Sequence, residues 1–285
     1  MNFAARVYAH GASRPFQRAL VAPGPRVAEG PTWRQMTFGR LTQRSQQLAA
    51  GFTARGIRPG DRVMLLIPAG FAFFEVSLAL WQIGAVPVLI DPGMGIPGFL
   101  ACVEQIRPRV LIGIGRGMVL AAVRSGAFRS VQDRITVGSR TWFWGGTTLD
   151  ACRADEPRTE LATVDVDTEA AVLFTSGSTG PAKGVRYTHG MFGTQAERIQ
   201  AMYGIVPGSL DVSCFLPFAM FSVAMGVTCV LPDMDFAKPA TASPEAITEA
   251  VQEHGASQLV ASPAVLARLA PWAAQRAVRL PSLDR

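Results

Sequence analysis

Lysine is nearly absent from this chain: Lys183 and Lys238 stand against 25 arginines in 285 residues. Charge is sparse as a whole, at 17% of residues, while 49% are apolar, a composition too hydrophobic for a disordered polypeptide. Histidine and cysteine are also scarce. The three histidines (His10, His189, His254) and four cysteines (Cys102, Cys152, Cys214, Cys229) are far apart, with no Cys-x-x-Cys pair. This excludes a zinc-finger ligand set and a disulfide framework, and leaves buried free thiols in a reducing cytoplasm as the expectation. No acidic residue precedes Glu29, but the amino-terminal segment lacks the apolar core of a secretory signal, so no targeting segment is expected. The net charge of +6 and pI near 9.7 come from arginines scattered without runs, so no nucleic-acid partner is expected.

An uninterrupted membrane-length apolar run is missing too. The best candidate, Val63 to Ile90, is broken by Pro68, Gly70, Glu75, Gln82, Gly84 and Pro87. A spanning helix would carry Glu75 near its middle, so the stretch divides instead into strand 63–67, helix 70–83 and strand 86–90. An integral membrane protein is excluded on this reading.

What is present is an alternation of short apolar runs and helical-length segments, the signature of an α/β fold with mainly parallel sheets flanked by helices. Leu41, Ser45, Leu48, Ala49 and Phe52 share one helical face, and Gly56 suits its C-terminal stop. The runs Val86–Ile90, Val110–Gly113 and Ile135–Val137 read as strands, with Asp91-Pro92-Gly93 as punctuation and Pro97 in a following first helical turn. Segment 138–168 is polar and irregular. Its Trp142-Phe143-Trp144-Gly145-Gly146 is expected to anchor a loop to the core rather than to stack on a base. A second series follows: strand 170–174, helix 190–203, strand 213–215, helix 219–228, helix 244–254 capped by Ser243 with Pro244 at its first position, strand 257–260 and a helix from Pro263. Two blocks are expected, 1–168 and 169–285.

One segment carries chemistry. Leu173-Phe174-Thr175-Ser176-Gly177-Ser178-Thr179-Gly180-Pro181-Ala182-Lys183-Gly184-Val185 runs from an apolar strand into four hydroxyls, three glycines and one of the two lysines. Glycines let backbone N–H groups approach anionic oxygens, hydroxyls add neutral donors, and Lys183 supplies a mobile point charge. The order Ala182-Lys183-Gly184 is not that of a Walker A loop. A second glycine cluster, Gly113-Ile114-Gly115-Arg116-Gly117-Met118, has methionine where a dinucleotide fingerprint needs its third glycine, and is read as a turn.

Thr175 to Val185 resembles the phosphate-binding motif of the adenylate-forming (AMP-binding) superfamily of acyl-CoA synthetases, luciferases and peptide-synthetase adenylation domains. Asp61-Arg62-Val63 and Gly84-Ala85-Val86-Pro87-Val88-Leu89-Ile90-Asp91-Pro92 are similar to its early strand–helix–strand. Within it, Trp144–Leu149, Pro217–Phe221 and Leu231-Pro232-Asp233-Met234-Asp235 resemble OleC-like β-lactone synthetases of bacterial olefin biosynthesis, many of them labelled fatty-acid–CoA ligases. The resemblance implies attack of a fatty or 3-hydroxy fatty carboxylate on ATP to give an acyl-adenylate, then displacement of AMP by the substrate's hydroxyl or, in the ligases, by coenzyme A.

It further implies that Thr175, Ser176, Gly177, Ser178, Thr179, Gly180 and Lys183 hold the ATP phosphates, with Lys183 catalytic and Thr175 near the accompanying Mg²⁺. Phe218, Ala219, Met220 and Phe221 would line the acyl side, although an apolar run at helical spacing also suits plain core. Where the similar sequences continue with an acidic residue, this chain has Ser222-Val223. His189 is expected to be structural or capping. The superfamily's adenine- and Mg²⁺-binding motif, ribose-binding aspartate and C-terminal domain with its lysine are not found. The expectation is therefore a partial large domain, inactive alone, whose partners include a complementary C-terminal half or other olefin-biosynthesis enzymes. A non-catalytic acyl- or nucleotide-binding module is the alternative.

Overall fold

The computed structural model describes residues 1–25, 32–138, 140–175 and 182–284. The chain forms two compact units, residues 1–5, 43–68 and 72–193 in one and 6–42, 69–71 and 194–285 in the other. Among the described residues β1 (Arg18–Pro23) and β2 (Trp33–Thr37) belong to the second unit. The next seven strands build the first: β3 (Arg62–Leu66), β4 (Val86–Ile90), β5 (Val110–Gly113), β6 (Asp133–Thr136), β7 (Thr147–Thr148), β8 (Glu169–Thr175) and β9 (Lys183–Thr188). Their order is β7-β6-β5-β3-β4-β8-β9, parallel throughout except for the final β8–β9 pair. The inner strands are continuous apolar runs because helices cover both faces of a parallel sheet; Val63, Met64, Val88, Leu111 and Ile112 are wholly buried.

Helix Phe71–Gln82 is buried along nearly its whole length, and Glu75 within it is 2% exposed. Its carboxylate accepts from Arg44 Nε at 2.6 Å and from the Arg153 guanidinium, so the charge is buried as a pair rather than alone. Among the described residues no helix is long and apolar enough to cross a membrane.

In the second unit β10 (Leu210–Ser213), β11 (Thr228–Val230) and β12 (Gln258–Val260) join β1 and β2 in the order β12-β10-β11-β1-β2. Only β2 is antiparallel, on β1. Helix Pro244–His254 lays Ile247, Ala250 and Val251 against Val212 and Val230. As the sequence predicts, Ser243 Oγ accepts from the Ala246 N–H at 3.2 Å, and Gly255 closes the far end at φ 61°.

Several expectations shift. The helix read at 219–228 runs Leu216–Ala224, because Gly226 (φ 76°) turns the chain and Thr228 already belongs to β11. The strand expected at 213–215 is Leu210–Ser213, and the glycine cluster after β5 opens helix Gly115–Val123 rather than remaining a turn. The boundary between units does not fall at 168/169. β8 is tied to β4 in parallel register (Val88↔Val172, Ile90↔Phe174), which keeps it and β9 with the first sheet. Helix Ala4–Ser13 and strands β1, β2, β7, β9 and β11 are additions to the sequence reading. The aromatic run splits. Trp144 is buried and its Nε1 donates to Thr136 Oγ1 at 3.1 Å, whereas Trp142 and Phe143 are 63% and 74% exposed.

Candidate functional site

The phosphate-loop candidate is the turn of the β8–β9 hairpin. Thr175 ends β8, Lys183 begins β9, and the two residues are paired across the ladder. Ser176, Gly177, Ser178, Thr179 and Gly180 lie outside the described residues, as does the Thr175 side chain. Lys183 is exposed. On its other side β8 runs parallel to β4, and the Asp91 N–H, just past the end of β4, donates to the Phe174 carbonyl at 3.2 Å. The hairpin therefore turns at the carboxyl ends of the parallel strands, where open α/β sheets place their ligands.

Packing explains the glycine after the lysine. Gly184 faces Phe174 across the ladder, and a Cβ added there would lie 2.7 Å from Phe174 Cζ. The ring is 3% exposed and packs with Ile90 and Val172 in the core, so the hairpin's base is a phenyl ring seated on a bare Cα. That contact fixes where Lys183 emerges. Asp91 adds a second turn at this edge, its Oδ1 accepting from the Gly93 N–H at 2.8 Å. In the sequence Asp91 reads as punctuation and as part of the family-like stretch Gly84–Pro92; its position directly after an apolar strand is the further signal.

The acyl-lining candidates sit in the second unit, on helix Leu216–Ala224, which has Pro217 in its first turn. Ala219, Met220 and Phe221 are buried and Phe218 is partly exposed, in ring contact with Phe215 and Phe221 at centroid distances of 5.7 Å. Thus Thr175 and Lys183 are brought together, while Phe218–Phe221 belong to the other unit. Ser222 is buried and its Oγ donates to Asp211 Oδ2 on β10 at 2.5 Å. Burial pushes the Asp211 carboxyl up to about 7, against the opposing pull of the Ser222 hydroxyl and the Val260 backbone. The sequence reading missed Asp211; an acid inside a short strand with apolar neighbours was its only mark.

His189 is 1% exposed, and its Nδ1 accepts from the Phe3 N–H at 3.1 Å. Burial pulls its pKa down to about 4, so the ring is neutral and ties the amino-terminal segment to the start of helix His189–Tyr203, the structural role anticipated. Among the described residues no group of three His, Cys, Asp or Glu is placed to hold a metal ion.

A two-unit α/β molecule with a hydroxyl- and glycine-rich hairpin at the carboxyl edge of its larger sheet has the form of an adenylate-forming domain. The chain belongs to the AMP-binding enzyme family, which matches residues 8–285. It is 38% identical over 275 residues to an olefin beta-lactone synthetase of Xanthomonas campestris pv. campestris, covering 95% of this chain and 49% of that protein. A Stenotrophomonas maltophilia protein of the same name is 39% identical over 274 residues, covering 94% and 49%. The chain thus spans about half the length of the curated relatives it matches. The fold is shared with acetoacetyl-CoA synthetase from Streptomyces lividans (TM-score 0.84, 22% identity, 99% of this chain and 46% of that one).

Proposed function

We propose that this chain forms the phosphate-gripping and acyl-facing part of an enzyme that activates a fatty, 3-hydroxylated carboxylic acid with ATP and leads it to a β-lactone. The observation that carries the reading is the 38% identity sustained over 95% of the chain to an olefin beta-lactone synthetase. The hairpin fits the first step chemically. A carboxylate attacks the α-phosphorus, the bond to the bridging oxygen breaks, and negative charge grows on the departing pyrophosphate. Lys183, exposed beside Thr175 at the sheet's carboxyl edge, neutralises that growing charge, a contribution that lowers the barrier because it is largest in the transition state. On this reading the loop hydroxyls at 175–179 would supply neutral donors, and Thr175 would help to hold the Mg²⁺ that accompanies ATP and offsets charge on its phosphates. In the second step the substrate's β-hydroxyl oxygen attacks the acyl carbon and AMP leaves.

Phe218 to Phe221 form the apolar acyl lining on this proposal, and each buried CH₂ of a long chain adds about 0.8 kcal/mol there. The 285-residue chain alone lacks exchange activity, and residues supplied by the other half of the relatives' length complete the nucleotide site. The test is ATP–pyrophosphate exchange with 3-hydroxy fatty acids, run on the chain alone and on a polypeptide of the relatives' full length. Exchange by the longer protein, with lactone formed without coenzyme A, supports the reading. Thioester formation on addition of coenzyme A would instead assign a fatty-acid–CoA ligase. Exchange by the short chain would overturn its dependence on the missing half, and no exchange by the long protein would leave a non-catalytic acyl- or nucleotide-binding module.

A further inference from the structure

Helix Leu216–Ala224 carries a single polar side chain, Ser222; every other residue in it is apolar. Apolar burial is non-directional, so on its own it fixes neither the rotation of such a helix nor its slide along the strands it packs on. The directional contacts are polar and come from β10. Side chains alternate along that strand: Val212 joins the core under helix Pro244–His254, while Asp211 and Ser213 face the opposite way. Ser213 Oγ donates to the carbonyl of Phe215, the residue that precedes helix Leu216–Ala224, at 3.2 Å. Asp211 Oδ2 accepts from Ser222 Oγ, in the last turn of the helix, at 2.5 Å. Phe218, Ala219, Met220 and Phe221 lie between these two ties.

Asp211 is 1% exposed and Ser222 3%. Among the described residues Glu75 and Asp211 are the buried carboxyls, and they are held differently: Glu75 meets two arginines, whereas Asp211 has no arginine or lysine partner. A carboxyl enclosed without a cation costs stability rather than adding to it, so its value here lies in direction. We infer that Asp211 is a positioning residue: through Ser222 it sets the rotation of helix Leu216–Ala224, and with it the side chains that a bound acyl chain meets. The inference rests on the acyl-lining reading above. A turn of roughly 100° about the helix axis would bring Ala219 to where Phe218 stands, a methyl in place of a phenyl ring. The Ser222–Asp211 hydrogen bond forbids that turn, because only one rotation brings the hydroxyl to the carboxyl.

The experiment measures ATP–pyrophosphate exchange by a polypeptide of the relatives' full length, over a series of 3-hydroxy fatty acids that differ by single CH₂ groups. With the lining held in register, each added CH₂ raises kcat/KM about fourfold until the pocket is filled. S222A and D211A should each lower that increment to about twofold or less, through KM rather than kcat, because the lining no longer stays fixed beneath the chain. S222A removes one oxygen only and carries the test if D211A fails to fold. D211N keeps an acceptor for Ser222 Oγ, and burial already holds the carboxyl's pKa up at about 7, so the amide should retain the parent's increment. A merely structural role would lower the active fraction, and so kcat for every acid by one factor, while KM and the increment stayed as in the parent. That result, or parent increments in both S222A and D211A, would overturn the positioning role alone. Absence of exchange by the parent with every acid would overturn the adenylation reading, and this role with it.

Discussion

Substituting Gly184 by valine tests the link between core packing and the β8–β9 hairpin. The position has no positive φ, so the backbone itself tolerates a side chain, and relief of glycine's entropy would stabilise the strand by roughly 0.5–1 kcal/mol. Against this stands the Phe174 ring. A Cβ would meet Cζ at 2.7 Å and both Cε atoms at 3.1 Å, and the two γ-methyls of valine lie further into a ring that is already buried. Overpacking of this kind costs about 3 kcal/mol at the upper end of its usual range. The net loss is about 2 kcal/mol, or about 4–8 °C in the melting of a unit this size. Calorimetry and urea unfolding followed by circular dichroism would measure it. Replacing Phe174 by leucine removes Cζ, so the double variant G184V/F174L should be less destabilised than the two single changes combined. Additivity of the two changes within about 0.5 kcal/mol would refute the argument, as would a neutral G184V.

Removing one charge-assisted contact by K183A should weaken ATP binding by about 1.5–3 kcal/mol, or about 10- to 150-fold by titration calorimetry, and leave the melting temperature unchanged. E75A should destabilise the first unit by about 3–5 kcal/mol, seen as a melting drop of at least about 6 °C, because Arg44 and Arg153 lose their shared buried carboxylate. For Asp211 the folded pKa of about 7 lies above its ordinary 3.8, so the native state holds the extra proton and stability falls as pH rises through that window. D211N should flatten the fall in unfolding titrations between those values. His189 has the opposite sign: its folded pKa of about 4 lies below 6.5, so the unfolded chain gains the proton first and stability falls as pH drops from 6.5 towards 4. H189Q should remove that acid-side slope.

Local chemistry wrote much of the fold into the sequence. Val86–Ile90, Val110–Gly113 and Pro244–His254 have the same bounds in the structure as in the sequence reading, because a continuous apolar run or a capped amphipathic helix announces itself within a few residues. The candidate phosphate loop stands out for a similar reason: hydroxyls, glycines and one of two lysines directly follow a strand. Those signals were local.

What only tertiary structure decided was pairing across distance. β1 belongs where it is because Leu20 and Val21 lie beside Cys229 and Val230, some two hundred residues later, and no periodicity near Arg18 reveals that partner. β9 reads as polar because it is an edge strand with Lys183, Val185 and Arg186 exposed, and its identity comes from its register with β8. Likewise Glu75 looked like a break in an apolar run until Arg44 and Arg153 met it, and Asp211 acquires its raised pKa only when β10 is enclosed and Ser222 is brought against it. The sequence by itself determined the alternation of strands and helices and the residue types that mark the hairpin as a candidate site. Burial and long-range register decided which strands share a sheet, why Gly184 must be bare, and which charges are compensated, since these depend on neighbours that chain order does not specify.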